Sequence, residues 1–310
     1  MVKSLLGTPS INIGWFVLGF LVFLIVFPGP ARAAEVFIIT GKNLSAFDEV
    51  IQGFTETIGK VPSQTLNLKE DGTLEETQTQ ALRQSKSPVA LAVRSQAATL
   101  MKNNFSGVPM IFCMVFDSRS YQGENVTGIG LSVPALAQFQ ALKSILPSAR
   151  RIGVVFDPGQ SSSLVEDGRQ AVSALNLVLV EKTVASSFEI SNVIKELIWN
   201  IDVLWVIPDR TVVFKESFRY MLEASINRKV PILAFSEAFV KGGVLLAVAP
   251  DYPGIGHQAG ALAKKILSGI SPASLPSLSP QGQIVLNLNT AKALSISIPP
   301  EVLKGVGKIY

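Results

Sequence analysis

Cysteine, which forms disulfides, and histidine, a common metal ligand and general base, are almost absent from this sequence. Its 310 residues contain one cysteine, Cys113, and one histidine, His257. A single cysteine excludes a disulfide within the chain. A zinc site of cysteine and histidine ligands is excluded as well, because such sites take three or four of them. We therefore expect no metal site.

Charged residues are scarce too. They make up 16% of the chain, with 27 Lys and Arg against 23 Asp and Glu, while 48% of the residues are hydrophobic. This composition excludes a disordered chain, which would be more charged and less hydrophobic. The small, scattered basic excess also excludes a nucleic-acid partner, which would need a clustered basic face.

Motifs for catalysis and for cofactor binding are missing. The sequence has neither a G-x-S-x-G nucleophile elbow nor a P-loop. Gly254, Gly256 and Gly260 imitate a dinucleotide fingerprint with the wrong third spacing. His257 falls in a helical pattern, as a packed or solvated imidazole, and Cys113 in an apolar strand pattern, as a small core residue. We predict a chain that is not an enzyme and takes no cofactor.

The first 33 residues have the order of a secretory signal. Lys3 is followed by the apolar run Ile11–Phe27, a Pro-Gly-Pro break and an A-x-A triplet that ends at Ala33. This order predicts export and cleavage after Ala33. A retained membrane anchor is the alternative, since the run is only slightly shorter than the about 20 residues needed to span a bilayer. Cleavage removes Lys3 and Arg32 and leaves a nearly neutral protein.

Short apolar runs alternate with longer amphipathic runs along the rest of the chain. This alternation predicts an α/β fold with parallel sheets covered by helices. A first set of runs extends from Val36 to Val115, and a second, similar set from Ile152 to Phe235. We interpret them as two lobes of like β/α topology, and the tail after Gly243 as segments that cross back between the lobes.

Polar side chains follow several predicted strands, at the sheet edge where ligands of open parallel sheets bind. Helix N-termini at this edge favour carboxylates and other anions. The loops at this edge include residues 41–45 and 116–119. The loops after the strands supply these candidate ligand-binding residues: Ser95, Gln96, Asp157, Ser161, Ser162, Asp209, Thr211, Ser236 and Glu237.

Structural roles for the same loops remain open. Ser95 and the serines at 161–163 can cap the helices that follow them, and Asp157 belongs to an Asp-Pro-Gly turn signal. Asp209 can cap a helix that starts near Val212, and one side chain can cap a helix and bind a ligand.

Longer motifs carry a family resemblance. They are Asn125-Val-Thr-Gly-Ile-Gly, the stretch from Gln138 to Pro158, Pro208-Asp-Arg-Thr211, the stretch from Val230 to Glu237, and Asn287–Leu294 with Ile298-Pro-Pro300. In order and spacing, from about Asn125 to Leu303, they resemble the ABC-transporter substrate-binding proteins of the tryptophan/tyrosine type.

The resemblance implies a type I periplasmic-binding fold, in which two Rossmann-like lobes joined by a hinge close on a small, amino-acid-like solute. It also implies a periplasmic, monomeric protein whose partners are a membrane permease and its ATPase. We expect residues 34–130 and 250–280 in lobe one, and 131–249 and 281–310 in lobe two. A ligand sensor or adaptor of the same fold, coupled to a membrane complex, is the alternative.

By position, the resemblance assigns roles to individual residues. Asp209 and Thr211 correspond to the ligand-gripping loop, and Ser236 and Glu237 to a hinge-side contact. Asp157 and the serines at 161–163 correspond to the facing turn. Asp251 belongs to a crossing segment and completes the set of candidate ligand-binding residues.

Overall fold

A five-stranded parallel sheet forms the first part of the computed structural model, which describes residues 36–41, 45–85, 88–116 and 118–310. The predicted signal, residues 1–33, lies outside the described residues. The strands are β1 (Val36–Thr40), β2 (Ser63–Asn67), β3 (Val89–Val93), β4 (Met110–Val115) and β5 (Val126–Gly130). The helices between them are α1 (Ser45–Ile58), α2 (Glu76–Gln84) and α3 (Ser95–Asn104). We call this part lobe one.

A second sheet follows and repeats the plan of the first. Its elements are α4 (Ala135–Ile145), β6 (Arg151–Phe156), α5 (Pro158–Ala174), β7 (Val178–Thr183), α6 (Ile190–Leu197), β8 (Val203–Trp205), α7 (Lys215–Arg228), β9 (Ile232–Ala234), α8 (Glu237–Lys241) and β10 (Leu246–Pro250). The strand order β7-β6-β8-β9-β10 matches β2-β1-β3-β4-β5 in lobe one. This confirms the predicted two lobes of like topology, and we call the second sheet and its helices lobe two.

The remaining elements return to both lobes. They are α9 (Tyr252–Leu267), β11 (Gly282–Leu286), α10 (Leu288–Leu294), α11 (Pro300–Leu303) and β12 (Lys308–Ile309). Helix α9 packs on α1 of lobe one, and Leu278 bridges to Ile129 of β5. Strand β11 then pairs antiparallel with β10 in lobe two. The chain therefore passes between the lobes after β5, after β10 and before β11.

The inner strands of each sheet are apolar on both faces, because helices cover both. In β1, Val36 and Ile38 pack toward α1 and α9, while Phe37 and Ile39 pack toward α2 and α3. A strand with both faces buried has a continuous run of hydrophobic residues, and such a run predicts β1. Cys113 is fully buried in β4, as predicted, and burial raises the pKa of its thiol.

Helices α1 and α9 cross at glycines. A Cβ atom on Gly256 would stand 2.7 Å from the backbone nitrogen of Phe54 and closer still to the carbonyl oxygen of Val50. A Cβ on Gly53 would overlap the carbonyl oxygen of Pro253 in the same way. Glycine is thus required on both helices for this close approach, which joins α9 firmly to lobe one.

The sequence patterns predicted most elements, and missed β5, α4 and the short elements α8, α11 and β12. Helical spacing in the sequence from Tyr252 to Leu267 predicts α9, and the structure has these limits. Strand β5 contains Gly128 and Gly130, which have low strand propensity. Gly128 is needed there because a Cβ would overlap the carbonyl oxygen of Phe112 on β4. Within the described ranges, none of the helices combines the length and apolar character needed to cross a bilayer.

Candidate functional site

A cavity of about 1080 Å³ lies between the lobes, at the carboxyl ends of their parallel strands. Lobe one contributes the loop after β4, and lobe two the loops after β8 and β9 together with one face of α5. The segments that pass between the lobes supply the rest of the wall. This is the edge where ligands of open parallel sheets bind, and the volume is slightly above the usual range for small-molecule sites.

Aromatic side chains form much of the apolar wall. Phe116 of lobe one is 51% exposed at the cavity, and Phe235 and Tyr252 line it from other sides. Trp205 also lines the cavity and is buried, and its indole Nε1 donates to Oε1 of Gln138 at 2.9 Å. This bond satisfies the one polar atom of the indole, so Trp205 offers a ligand an apolar surface.

Charged side chains of both signs also line the cavity. Among the described residues these are Arg119, Asp167, Asp209 and Arg210. Arg119 belongs to lobe one and the other three to lobe two. Partial burial raises the pKa of Asp167, and the positive charge of Arg119 opposes this shift. The cavity can thus offer a ligand partners for both a positive and a negative group.

Asp209 holds two loops of lobe two together. Its Oδ2 accepts from the backbone nitrogen of Asp157 at 2.8 Å and from Oγ of Ser161 at 2.6 Å. Its Oδ1 accepts from the backbone nitrogens of Thr211 and Val212, at 2.9 and 3.0 Å. The side chain is buried, with 4% of the residue exposed. A carboxylate has about four acceptor positions, so the protein itself uses all those of Asp209.

The sequence of this protein matches a family model from residue 63 to residue 309. The family is described as ABC transporter substrate binding protein. The chain belongs to this family. The chain is also 28% identical over 222 residues to a tyrosine-binding protein of Clostridioides difficile (strain R20291). The match covers 68% of this chain and 64% of that relative, less than two thirds of the relative's length.

Solved structures share its fold. A ligand-free, open substrate-binding protein with adhesive properties from Clostridium difficile is 22% identical, with a TM-score of 0.73, and the match covers 88% of this chain and 98% of that one. An ABC domain in complex with L-Trp from Streptococcus pneumonia is 22% identical, with a TM-score of 0.62 and coverage of 89% and 99%. The predicted type I periplasmic-binding fold is confirmed.

The ten predicted site residues fall into two groups. Asp209 and Ser236 line the cavity. The others lie outside the described lining: Ser95, Gln96, Asp157, Ser161, Ser162, Thr211, Glu237 and Asp251. Several of these eight hold the loops that carry the lining residues.

Asp157 and its neighbours support the start of α5. Oδ1 of Asp157 accepts from the backbone nitrogen of Gly159 at 2.8 Å, and Oδ2 accepts from Oγ1 of Thr211 at 2.6 Å. Asp157 therefore caps the first turn of α5, and the backbone leaves the helical conformation at Ser161 before the rest of the helix continues. The serines predicted as the cap stand at this break, but the hydroxyls of Ser161 and Ser162 act as hydrogen-bond donors elsewhere. Ser161 is buried and donates to Asp209, whereas exposed Ser162 donates to the carbonyl of Pro158.

Two other capping interpretations need correction. The helix after Asp209 begins at Lys215, so Asp209 closes a turn that precedes the helix. Ser95 is the first residue of α3, while Arg94 holds the cap position without a side-chain cap. The Arg94 guanidinium bonds to Gln96 and packs against Gly41, on the side of lobe one toward β1. The predicted loop residues Lys42, Asn43, Leu44 and Asp117 lie outside the described residues.

The cavity also contains residues that the sequence did not single out. Helix α5 presents one face to it, with Gln160, Ser163, Leu164, Asp167, Gln170, Ala171 and Ala174. These positions recur every three or four residues, as expected for one side of a helix. The sequence shows this spacing, but a solvent-exposed helix face has the same polar composition. The spacing alone therefore does not predict a binding site.

Asp251 and Glu237 stabilise segments next to the cavity. Asp251 caps α9 by accepting from the backbone nitrogen of Gly254 at 3.2 Å. Glu237 follows Ser236 and binds Lys308 of β12 at 2.8 Å, Lys241 at 2.9 Å and the hydroxyl of Tyr310. Hydrogen bonds from Lys308, Tyr310 and Lys241 lower the pKa of Glu237 to about 2.

We expect Glu237→Gln to lower the free energy of unfolding at pH 7 by about 1 kcal/mol, because the lysine partners are largely exposed. The ordinary pKa of glutamate is about 4.3. The contribution of Glu237 is therefore fully present above pH 4.3 and is lost as the pH falls toward 2. Denaturant unfolding at pH 7, 4 and 2.5 measures the difference between variant and wild type, which should shrink with acidity.

The matched control is Glu301→Gln, on α11, because Glu301 forms no salt bridge within the described ranges. It should leave the stability unchanged at each pH. Equal stability of Glu237→Gln and Glu301→Gln at pH 7 would show that the Glu237 cluster contributes nothing.

Proposed function

We propose that this protein is the exported solute receptor of an ABC importer and binds an amino-acid-like organic solute between its lobes. The observation that carries the proposal is the cavity, which combines aromatic walls with arginine and aspartate side chains. An α-amino acid needs these partners, since it presents a carboxylate, an ammonium group and a side chain. The tyrosine-binding relative and the solved complex with L-Trp support this class of ligand.

The proposed mechanism is closure of the two lobes on the solute. We assign residues 34–130 and 250–280 to lobe one and residues 131–249 and 281–310 to lobe two, with the crossing segments as the hinge. Closure buries the solute against both lobes and presents a changed surface to a membrane permease and its ATPase. The protein acts as a monomer, contacts the membrane only through the permease, and catalyses no reaction.

Export to the periplasm is part of the proposal. It rests on the signal-like order of residues 1–33 in the sequence. N-terminal sequencing of the exported protein should find Ala34 as the first residue. An uncleaved N-terminus would favour the sensor or adaptor of the same fold.

Ligand-induced thermal stabilisation tests binding. A solute present at 100 times its Kd should stabilise the protein by about 2.7 kcal/mol and raise Tm. We expect this shift with one or more α-amino acids in a panel that also contains sugars. A shift with sugars alone would contradict the amino-acid-like class, and no shift with any solute would contradict solute binding.

A pair of phenylalanine variants locates the binding. Phe116→Ala should weaken or abolish the shift, because Phe116 lines the cavity. Phe188→Ala is the control, since Phe188 is 91% exposed and lies outside the cavity lining. Equal shifts in both variants would place the solute elsewhere.

A further inference from the structure

We propose that Asp167 binds the ammonium group of the solute and Arg119 its carboxylate, while Asp209 positions the loops without binding the solute. This assignment rests on the proposed function, because it presumes that the solute is an α-amino acid. It places the ammonium-binding carboxylate on the exposed face of α5 and not in the loop that contains Asp209.

The first argument is that few carboxyl groups line the cavity. Among the described lining residues, Asp167 and Asp209 carry the only two carboxyl groups. All acceptor positions of Asp209 are occupied by the protein. An ammonium group that bound Asp209 would have to break one of these buried hydrogen bonds. Asp167 is then the carboxylate available to a bound ammonium group.

The surroundings of Asp167 are the second argument. On α5, the neighbouring Glu166 accepts from Arg169 at 2.7 Å, and Arg169 also binds Glu181. The nearest cation of the helix is thus engaged on the side away from the cavity. In the described part of the chain Asp167 has no salt bridge, and both Asp167 and Arg119 of the other lobe line the cavity.

The placement of the two charges on opposite lobes is the third argument. Arg119 follows β4 in lobe one, and Asp167 lies on α5 in lobe two. A zwitterion between them satisfies both, and each bond it forms draws one lobe toward the other. Phe116 and Tyr252 line the same cavity and can contact an apolar side chain. The solute class is therefore an α-amino acid with an aromatic or large apolar side chain.

Calorimetric titration with three related probes tests the assignment. The probes are L-tryptophan, 3-(indol-3-yl)propionate, which lacks the ammonium group, and tryptamine, which lacks the carboxylate. Wild-type protein should bind L-tryptophan about 10- to 100-fold more tightly than either analogue, the usual range for a hydrogen bond to a charged group.

In Asp167→Asn, the preference for L-tryptophan over 3-(indol-3-yl)propionate should fall by a similar factor. In Arg119→Gln, the preference for L-tryptophan over tryptamine should fall instead. Asp209→Asn should lower Tm but keep both preferences, as expected of a positioning residue. Glu166→Gln is the matched control, one residue from Asp167 and outside the cavity lining, and should keep affinity and preferences.

The outcomes separate this assignment from the proposed function. If wild-type protein binds L-tryptophan and Asp167→Asn keeps the wild-type preference, the assignment is wrong and the proposed function stands. A preference lost in Asp209→Asn and kept in Asp167→Asn would return the ammonium group to Asp209. If wild-type protein binds none of the probes and no amino acid of the thermal panel, the proposed function fails and the assignment with it.

Discussion

Replacing Gly256 by alanine is expected to lower the free energy of unfolding by about 2–3 kcal/mol, a typical cost of overpacking a core. The new methyl group would overlap the carbonyl oxygen of Val50 and stand 2.7 Å from the nitrogen of Phe54. Both atoms belong to the backbone of α1, so no side-chain rotation can relieve the overlap, and the helices must separate. Alanine is favoured over glycine within a helix by about 1 kcal/mol, which offsets only part of the cost.

Denaturant unfolding of Gly256→Ala beside two other variants checks this result. Gly53→Ala should destabilise in the same way, because its Cβ would overlap the carbonyl oxygen of Pro253. Gly107→Ala is the control: nothing lies within 4 Å of its Cβ position, and its stability should stay within about 0.5 kcal/mol of wild type. If Gly256→Ala unfolds like Gly107→Ala, α1 and α9 do not pack as closely as described.

Local patterns were sufficient to predict most strands of the two sheets. Strands such as β1, with both faces buried, are continuous apolar runs, and α9 has clear helical spacing. The crossing of α1 and α9 was not predictable in this way, because it joins residues about 200 positions apart through a shared need for glycine. Strand β5 was missed for a related reason, since glycine at position 128 is required by the close approach of Phe112 and is not favoured by strand propensity.

The candidate site was predicted at the level of loops better than at the level of residues. Ligands of open parallel sheets bind beyond the carboxyl ends of the strands. This rule selected the loops that contain Arg119, Asp209 and Ser236, all of which line the cavity. It could not rank residues within a loop, because ranking depends on which hydrogen bonds are already made. It also could not select Asp167, since an acid on an exposed helix face becomes a site residue only when another lobe faces it.

Asp209→Ala is expected to have the largest effect of any substitution near the cavity. It leaves four donors without their acceptor: the backbone nitrogens of Asp157, Thr211 and Val212 and the hydroxyl of Ser161. An unsatisfied buried donor costs about 1–3 kcal/mol. Because water can reach some of the four, we expect a loss of about 3–4 kcal/mol in the free energy of unfolding.

We expect the substitution to lower stability in the first place, because the same bonds fix the start of α5 and the loop that carries Arg210. Denaturant unfolding should give a graded series in which Ser161→Ala, which removes one donor, costs about 1 kcal/mol. Ser162→Ala is the control, since exposed Ser162 bonds only to Pro158 in the described structure, and it should change stability by less than about 0.5 kcal/mol. If Asp209→Ala is as stable as Ser162→Ala while solute affinity falls, Asp209 contacts the solute, and its four hydrogen bonds contribute little to stability.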